Sequence, residues 1–566
     1  MPDATVMFVK HRLKCRIRTL DKSPFFVVIR EYCMSVSVTS SENATVEVHR
    51  VARATAVIAF GNITSRILGL ARETILSYLF GASVAVDAFK IATIVPRGLY
   101  DLLIGGHVNS ALVPVLSEYA EKEDRDNLWQ LISALLWIAV VGMALLVVGI
   151  ELAAPYIIRV VASDEVTPEI LDEATVLLRI TAPALFFLSL FAVVSSLLYA
   201  LRRFTWPAFA ASAFNLTIVA MTVAFAQQIG ITAAALGWLL GAIVQLVIQW
   251  PGLQGIHLQL HFLWRHPGVR TIALLYVPVM FSLVLDVLIN RPFSYNLASR
   301  TGEGSIAYME WATTLVQFPQ GLVATAVSIA VLPTLSRQAT YKDRGLAEFK
   351  DTLGLGLRLS LALIIPATIG LIVFAAPIVA LVFEHGEFTS ADTLITAKAL
   401  RLYMLGLPFA ALDLLLVYSF YARQDTLTPA AVGVVSLVAY MVTVLVLLDS
   451  AGLYALMIAD SVKHCLHASI SGWLLLRRIG GLSHQRLVET AGKAMIAALV
   501  MGLVGKGMLY LLEPSFGDSK LVDELVLVVG AGGASGVFYL FLADRLGVEE
   551  IQLFFKKIRQ KLAARY

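Results

Sequence analysis

The chain has 566 residues, of which 58% are hydrophobic and only 15% charged, with a formal net charge of +4. Its mean hydropathy is +0.78, whereas soluble domains carry roughly 25% charged residues, so a water-soluble globular protein is excluded. The apolar runs are continuous rather than alternating in segments of about ten residues, which excludes a β-barrel and leaves an all-α polytopic membrane protein.

Residues 1–52 are basic and polar, hold no apolar run long enough for a signal peptide or a span, and read as a disordered cytoplasmic extension. Met34 opens a Ser/Thr-rich stretch leading into the first helix and is an alternative start. Fourteen spans follow, near 53–80, 87–118, 128–161, 173–200, 207–228, 231–251, 270–298, 305–336, 352–383, 393–421, 428–449, 452–476, 487–511 and 521–544. The runs 128–161 and 352–383 are overlong, and each has room for an interfacial turn, near Pro155 and Pro377. The tail 549–566 is a basic amphipathic helix suited to lying along an anionic inner leaflet.

An even number of spans puts both termini on one side of the membrane. On that side fall Lys122, Arg125, Arg202, Arg203, Arg337, Lys350, Arg423, Arg477 and Arg478, joined by the basic tail. The opposite loops offer Arg300 and Lys520, and the loop 163–173 is strongly acidic. The positive-inside rule therefore makes both termini cytoplasmic.

An internal repeat is present. LLYALRRFTWPA (197–208) matches SFYARQDTLTPA (419–430) at an offset of 222, and LVPVLSEY (112–119) matches VLPTLSRQ (331–338) at 219. Pro96-Arg97-Gly98-Leu99 echoes Pro319-Gln320-Gly321-Leu322. Such an offset covers six spans, so the copies share orientation and form parallel repeats with a site between them near the midplane. Residues 53–252 then make an N-lobe of helices 1–6, 253–480 a C-lobe of helices 7–12, and 481–548 two helices outside the repeat.

Charge inside these spans is the functional signal, because an Arg at a helix centre costs about 2.5–3.5 kcal/mol on insertion scales. Helix 1 carries Asn62, Arg66 and Glu73 close to one face, with Ser65 and Arg72 on another. Helix 2 adds Lys90 and Arg97, seven apart on one face, and Asp101 one turn beyond Arg97 is placed to pair with it. Helix 7 carries Asp286 and Arg291, and helix 8 carries Glu310. A chamber lined this way attracts an anion, and the planar guanidinium fork suits phosphates. Structural neutralisation within these helices, such as Arg66 by Glu73, is the competing reading, but at least two cations are left over. Pro96 and Pro292 within spans, with Gly98, Gly105 and Gly106, mark bends of the kind a transporter needs.

Nothing calls for a metal, a cofactor or nucleic acid. Cys15, Cys33 and Cys465 lack metal-like spacing, and His107, His385, His464 and His467 read as loop or helix-face residues. No phosphate loop, zincin or nucleophile-elbow pattern is present, so no enzymatic activity is expected.

The segments SRILGLARE (65–73), LFGASVAVDAF (79–89), SALVPVLSEY (110–119), LVFEHGEFTSADTLITAKAL (381–400) and FYARQDTLTPA (420–430) resemble the MurJ/MviN family of lipid II flippases. That family lies within the multidrug/oligosaccharidyl-lipid/polysaccharide exporter superfamily. The resemblance runs in order from about residue 54 to the end. It implies fourteen helices in two pseudo-symmetric lobes around a cationic cavity, in a bacterial cell (inner) membrane. It also implies a polyprenyl-pyrophosphate-linked saccharide as substrate, moved from the inner to the outer leaflet under the membrane potential, with a coupling ion left unnamed. Arg66, Arg72 and Glu73 match the family's helix 1 charges, Asp87 the acid of its T-D-A-F turn, and Arg291 a basic residue of helix 7 beside Asn290, where an aspartate is usual.

Two departures stand out. Tyr100 and Asp101 occupy the positions of two family arginines in helix 2, with Gly105 in place of a glutamate, and Ala312-Thr313-Thr314 replaces A-D-R in helix 8. The expected substrate-binding set is therefore Arg66, Arg72, Glu73, Arg97 and Arg291, with Asn62, Asp87, Lys90, Asp101, Asp286 and Glu310 as accessories. The expected function is a lipid II flippase; the alternatives are an exporter of another lipid-linked precursor or amphiphilic drug, or a non-transporting membrane scaffold.

Overall fold

The computed structural model describes residues 57–103, 106–121, 125–163, 166–254, 266–339, 343–512, 520–553 and 555–556. The N-terminal extension with Met34, Gly105, the side chain of His107 and the tail beyond residue 556 lie outside the described residues.

Long apolar segments must satisfy every backbone group internally once they leave water, and helices do this. All regular structure among the described residues is accordingly helical. The first half runs through α1 (57–80), α2 (Val84–Leu103), α3 (Gly106–Glu121), α4 (Arg125–Val161), α5 (Pro168–Thr181), α6 (Ala184–Ala200), α7 (Thr205–Ile229) and α8 (Thr232–Val247). The second half repeats it: α9 (Pro267–Leu285) and α10 (Arg291–Ser299), then α11 (Ser305–Pro319), α12 (Ala326–Ala339), α13 (Asp343–Val373), α14 (Ala375–Phe383), α15 (Ser390–Met404), α16 (Leu407–Ala422), α17 (Leu427–Ala451) and α18 (Tyr454–Ile479). After the repeat come α19 (Leu487–Leu512), α20 (Lys520–Leu525) and α21 (Gly532–Arg545).

The repeat extends to backbone detail. The break between α5 and α6, at Ala182–Pro183, recurs between α15 and α16, which are bent by 44°. Arg202 and Gln424, at matching positions, both adopt φ of 60°. Each half closes with a tight hairpin, α7 on α8 and α17 on α18.

Among the described residues, nine helices are long and apolar enough to cross a membrane by length and composition, and the α15–α16 pair makes ten. The other four expected spans, near 53–80, 87–118, 270–298 and 452–476, each carry several charges in their interiors. Segments that look least like spans thus carry much of the polar chemistry. Proline did not break α4 as expected: it is one helix of 37 residues through Pro155, since a long span tolerates one missing donor when neighbouring groups compensate. The second expected turn lies at Phe374, before α14, with Pro377 in that helix's first turn, where its missing N–H has no role.

Two π-turns shift the helical register on the second lobe's inner wall. One spans Asp286–Asn290 and joins α9 to α10; the other spans Gln320–Thr325 and joins α11 to α12. Such insertions are rare and cluster at functional positions.

Candidate functional site

A cavity of about 290 Å³ lies between the lobes. Ser65, Arg66, Arg72 and Glu73 of α1, Arg97, Tyr100 and Asp101 of α2, Asn215 of α7, and Trp238 and Gln245 of α8 line one side; Thr314, Gln317 and Phe318 of the second lobe line the other. That volume is room for about ten waters.

Arg66 projects across the lobe boundary and donates from Nη1 to the Gln317 carbonyl at 3.1 Å. Among the described residues it has no carboxylate at ion-pair distance. Its guanidinium has room because residue 321 is glycine: a Cβ there would lie 2.5 Å from Nη1. The matching Gly98 receives Val287 from the opposite lobe, at 2.6 Å from the equivalent Cβ position. The repeated P-x-G-L motif thus puts a side-chain-free spot in each lobe where a side chain of the other lobe packs closely.

Arg72 is held by its neighbours. Nη2 donates to Glu73 Oε1 at 2.7 Å, Nη1 donates to Asn215 Oδ1 at 3.1 Å, and the guanidinium lies 5.9 Å from the Trp238 ring. Glu73 is buried and takes a second cation, Lys90, with Nζ 2.6 Å from Oε2. Lys90 is buried behind Glu73 and does not line the cavity. The competing reading, neutralisation of Arg66 by Glu73, is therefore not what the structure shows.

The expected Arg97–Asp101 pair is also absent. Both side chains leave α2 towards the second lobe, and each meets a different partner there. Arg97 Nη1 lies 2.9 Å from Glu310 Oε2, and Tyr295 donates its hydroxyl to Glu310 Oε1 at 2.5 Å. Arg291 Nη1 lies 2.8 Å from Asp101 Oδ2, and Nε lies 3.2 Å from Asp286 Oδ2. The π-turn explains the last contact. Residues five apart face different ways on an α-helix, but the wider turn stacks residue 291 over 286, with the Arg291 N–H bonded to the Asp286 carbonyl.

Asp87 and Asn62 do not line the cavity. Asn62 is exposed on α1. Asp87, in the first turn of α2, sits ten residues and about 15 Å of helix from Arg97. Its Oδ1 accepts the Ala307 N–H at 2.9 Å, capping the first turn of α11 from the other lobe. Around it, Val84 N–H donates to Glu303 Oε1 (3.3 Å), Glu387 N–H to the Tyr78 carbonyl (3.0 Å), and Ser163 N–H to Ser299 Oγ (3.0 Å). These bonds sew the lobes together at the end of the bundle away from residue 57. A hollow of about 530 Å³ opens beside this seam, with Asp87, Glu169, Glu173 and Glu303 on its wall.

Asn215, Gln245, Trp238 and Tyr295 escaped sequence reading. For the first two a signal existed, since Gln245 is the one amide of α8 and Asn215 sits in the middle of α7, far from the glutamines at its end. The partners across the boundary lie 213 residues apart for Arg97–Glu310, beyond any helical-face argument.

The profile of the family described as lipid II flippase MurJ matches residues 76–527. The lipid II flippase MurJ of Burkholderia cenocepacia is 31% identical over 441 residues, covering 76% of this chain and 84% of that protein. The probable lipid II flippase MurJ of Vibrio cholerae is 28% identical over 529 residues, covering 88% and 97%. A solved structure of lipid II flippase MurJ in an inward closed conformation superposes with a TM-score of 0.73 at 26% identity, covering 88% of this chain and all of that one. An inward-facing MATE-family multidrug transporter shares the fold at a TM-score of 0.63 and 15% identity, over 74% of this chain and 96% of that one.

Proposed function

The chain belongs to the MurJ family of lipid II flippases, and from that premise we propose that it moves a polyprenyl-pyrophosphate-linked saccharide, lipid II, from the inner to the outer leaflet. The carrying observation is the cavity between two like-oriented lobes, with Arg66, Arg72 and Arg97 on its wall. A pyrophosphate diester brings two negative charges. Guanidinium groups in a low-dielectric chamber bind them with charge-assisted hydrogen bonds of about 1.5–3 kcal/mol each. In this reading Arg66 and Arg72 receive the headgroup first, with Arg97 and Arg291 completing the grip, and the acidic hollow beyond the seam disfavours its retention once the lobes rock.

The positive-inside distribution supports cytoplasmic termini in a bacterial cell, and in this reading the cavity is loaded from the inner side while the Asp87 seam closes the outer one. The lobes, helices 1–6 and 7–12, act as the rocking bodies. Binding and conformational exchange suffice for this, and no covalent step is required.

The test is complementation of a flippase-depleted bacterium by an Arg66→Ala, Arg72→Ala double variant. The expected outcome is lysis on depletion despite normal membrane insertion; full complementation overturns the reading. A related lipid-linked precursor as substrate is the second reading, favoured by Tyr100, Asp101 and Thr314 on the cavity wall, where the resembling family carries cations. Rescue of an exporter-deficient strain but not of the flippase-depleted one would select it.

A further inference from the structure

Four carboxylates, Glu73, Asp101, Asp286 and Glu310, meet five cations, Arg66, Arg72, Lys90, Arg97 and Arg291, on the chamber wall or directly behind it. They fall into two sets. Glu73 is deeply buried, holds both its partners within the first lobe, and is structural. Glu310 and Asp101 are different: each reaches across the lobe boundary to a guanidinium on the opposite lobe.

The two cross-lobe pairs are reciprocal. Arg97 of the first lobe is held by Glu310 of the second at 2.9 Å, and Arg291 of the second by Asp101 of the first at 2.8 Å. Neither is sealed, since side-chain exposure is 36% for Arg97 and Asp101 and 29% for Arg291. Arg97 and Asp101 form part of the cavity wall. Arg97 thus faces the chamber directly, and Arg291 lies behind the Asp101 carboxylate that does. A half-wet ion pair contributes far less to stability than a buried one, and its partner can be exchanged for another oxyanion at small cost.

We propose that Glu310 and Asp101 are placeholders for the substrate's pyrophosphate: without substrate they occupy the guanidinium groups of Arg97 and Arg291 and tie the lobes together, and the headgroup displaces them and unties the lobes. This inference rests on the flippase reading and deepens it. Donor count favours it. With Glu310 and Asp101 seated, Arg66 is, among the described residues, the guanidinium on the chamber wall that has no carboxylate at ion-pair distance, whereas a doubly charged headgroup calls for more donors, which Arg97 and Arg291 supply once their acids are displaced. The device also couples occupancy to motion, because a ligand moves a conformational equilibrium only through its different affinity for the two states. Here that difference is the loss of two cross-lobe ties, while the seam at Asp87, which touches no cavity residue's charge, is left for a later step.

The experiment uses the full chain in nanodiscs, with lipid II as the probe and spin labels at Val247 and Leu427, exposed residues at matching ends of the two lobes. Glu310→Gln and Asp101→Asn should each raise lipid II affinity about tenfold, because a competing carboxylate is removed while the guanidinium stays. Glu310→Asp should return affinity to that of the unaltered protein. Lipid II should lengthen the label-to-label distance in the unaltered protein, and the Glu310→Gln, Asp101→Asn double variant should show the long distance without ligand. Affinity unchanged or lowered in both single variants overturns the inference, as does a double variant that keeps the short distance; a merely structural role for the pairs predicts the lowered affinity. Failure of the unaltered protein to bind lipid II is a separate result: it overturns the flippase reading and the substrate half of the inference together.

Discussion

Gly321→Ala should cripple transport while leaving the protein folded. The added methyl lies 2.5 Å from Arg66 Nη1 and 2.6 Å from Cζ and Nη2, against an ordinary contact of about 3.5–4 Å. The obstructing atoms are the tip of a flexible side chain, so Arg66 yields by about 1 Å and the backbone stays in place. The Arg66 bond to the Gln317 carbonyl, already 3.1 Å long, is lost in that movement. The stability change is small, because Ala regains up to about 1 kcal/mol of helical preference over Gly and little apolar packing is disturbed. Function bears the effect: one misplaced guanidinium forfeits a charge-assisted bond of about 1.5–3 kcal/mol, which is roughly a ten- to hundredfold loss of headgroup affinity. Thermal unfolding in detergent and lipid II titration read the two quantities separately. An unaltered affinity would refute the claim that Arg66 meets the headgroup from the position seen here, and a large fall in unfolding temperature would show that Gly321 serves backbone packing instead.

Glu73→Gln should lower thermal stability by about 3–5 kcal/mol, since it leaves Lys90 buried at 4% side-chain exposure with no counter-charge. Adding Lys90→Met should recover most of that loss in the same unfolding assay without restoring transport, because Arg72 still lacks the carboxylate that orients it. Asp87→Ala should weaken the cap on α11 by about 1 kcal/mol and loosen the outer seam; a cysteine at Ile91, buried here, should then react with an impermeant maleimide added from outside the cell, and unchanged labelling counts against the seam. In the second lobe, His467→Leu should destabilise more than His467→Gln, because Asp413, 2.5 Å from His467 Nδ1, keeps a donor only in the second case; equal unfolding temperatures would show the pair to be dispensable.

The helices, their lobes and the repeat were legible because they depend on local quantities. Apolar length marks a span, and the 197–208 and 419–430 segments reproduce one turn twice, down to the shared backbone angle at Arg202 and Gln424. Charges inside α1 and α2 were legible as well, since their cost announces them wherever they fall. What they pair with was not. A helical wheel ranks Asp101 as the natural partner of Arg97, four residues away, yet both side chains point out of α2 into the opposite lobe, and there Glu310 and Arg291 are nearer than either is to the other. The π-turn at Asp286–Asn290 has no sequence signature either. It shifts facing by one residue and so decides that Asp286 meets Arg291.

That rearrangement changes what the departures at Tyr100, Asp101 and Thr314 mean. Taken position by position, they subtract charge from a cavity proposed to hold an anion. In three dimensions, Asp101 is the partner of a cation on the other lobe, and Glu310, four residues before Thr314, is the partner of Arg97. The cavity has therefore exchanged free cations for cations held in reserve behind displaceable acids. A chamber of free guanidinium groups repels itself and binds its anion tightly at both ends of the cycle. One with paired groups rests in a closed arrangement with most of its guanidinium groups countered and offers them all only while a headgroup is present. Because uniform tightness does not speed turnover, the second arrangement trades ground-state affinity for an easier release, and this is the functional consequence of acids on the wall of a site built for a phosphate.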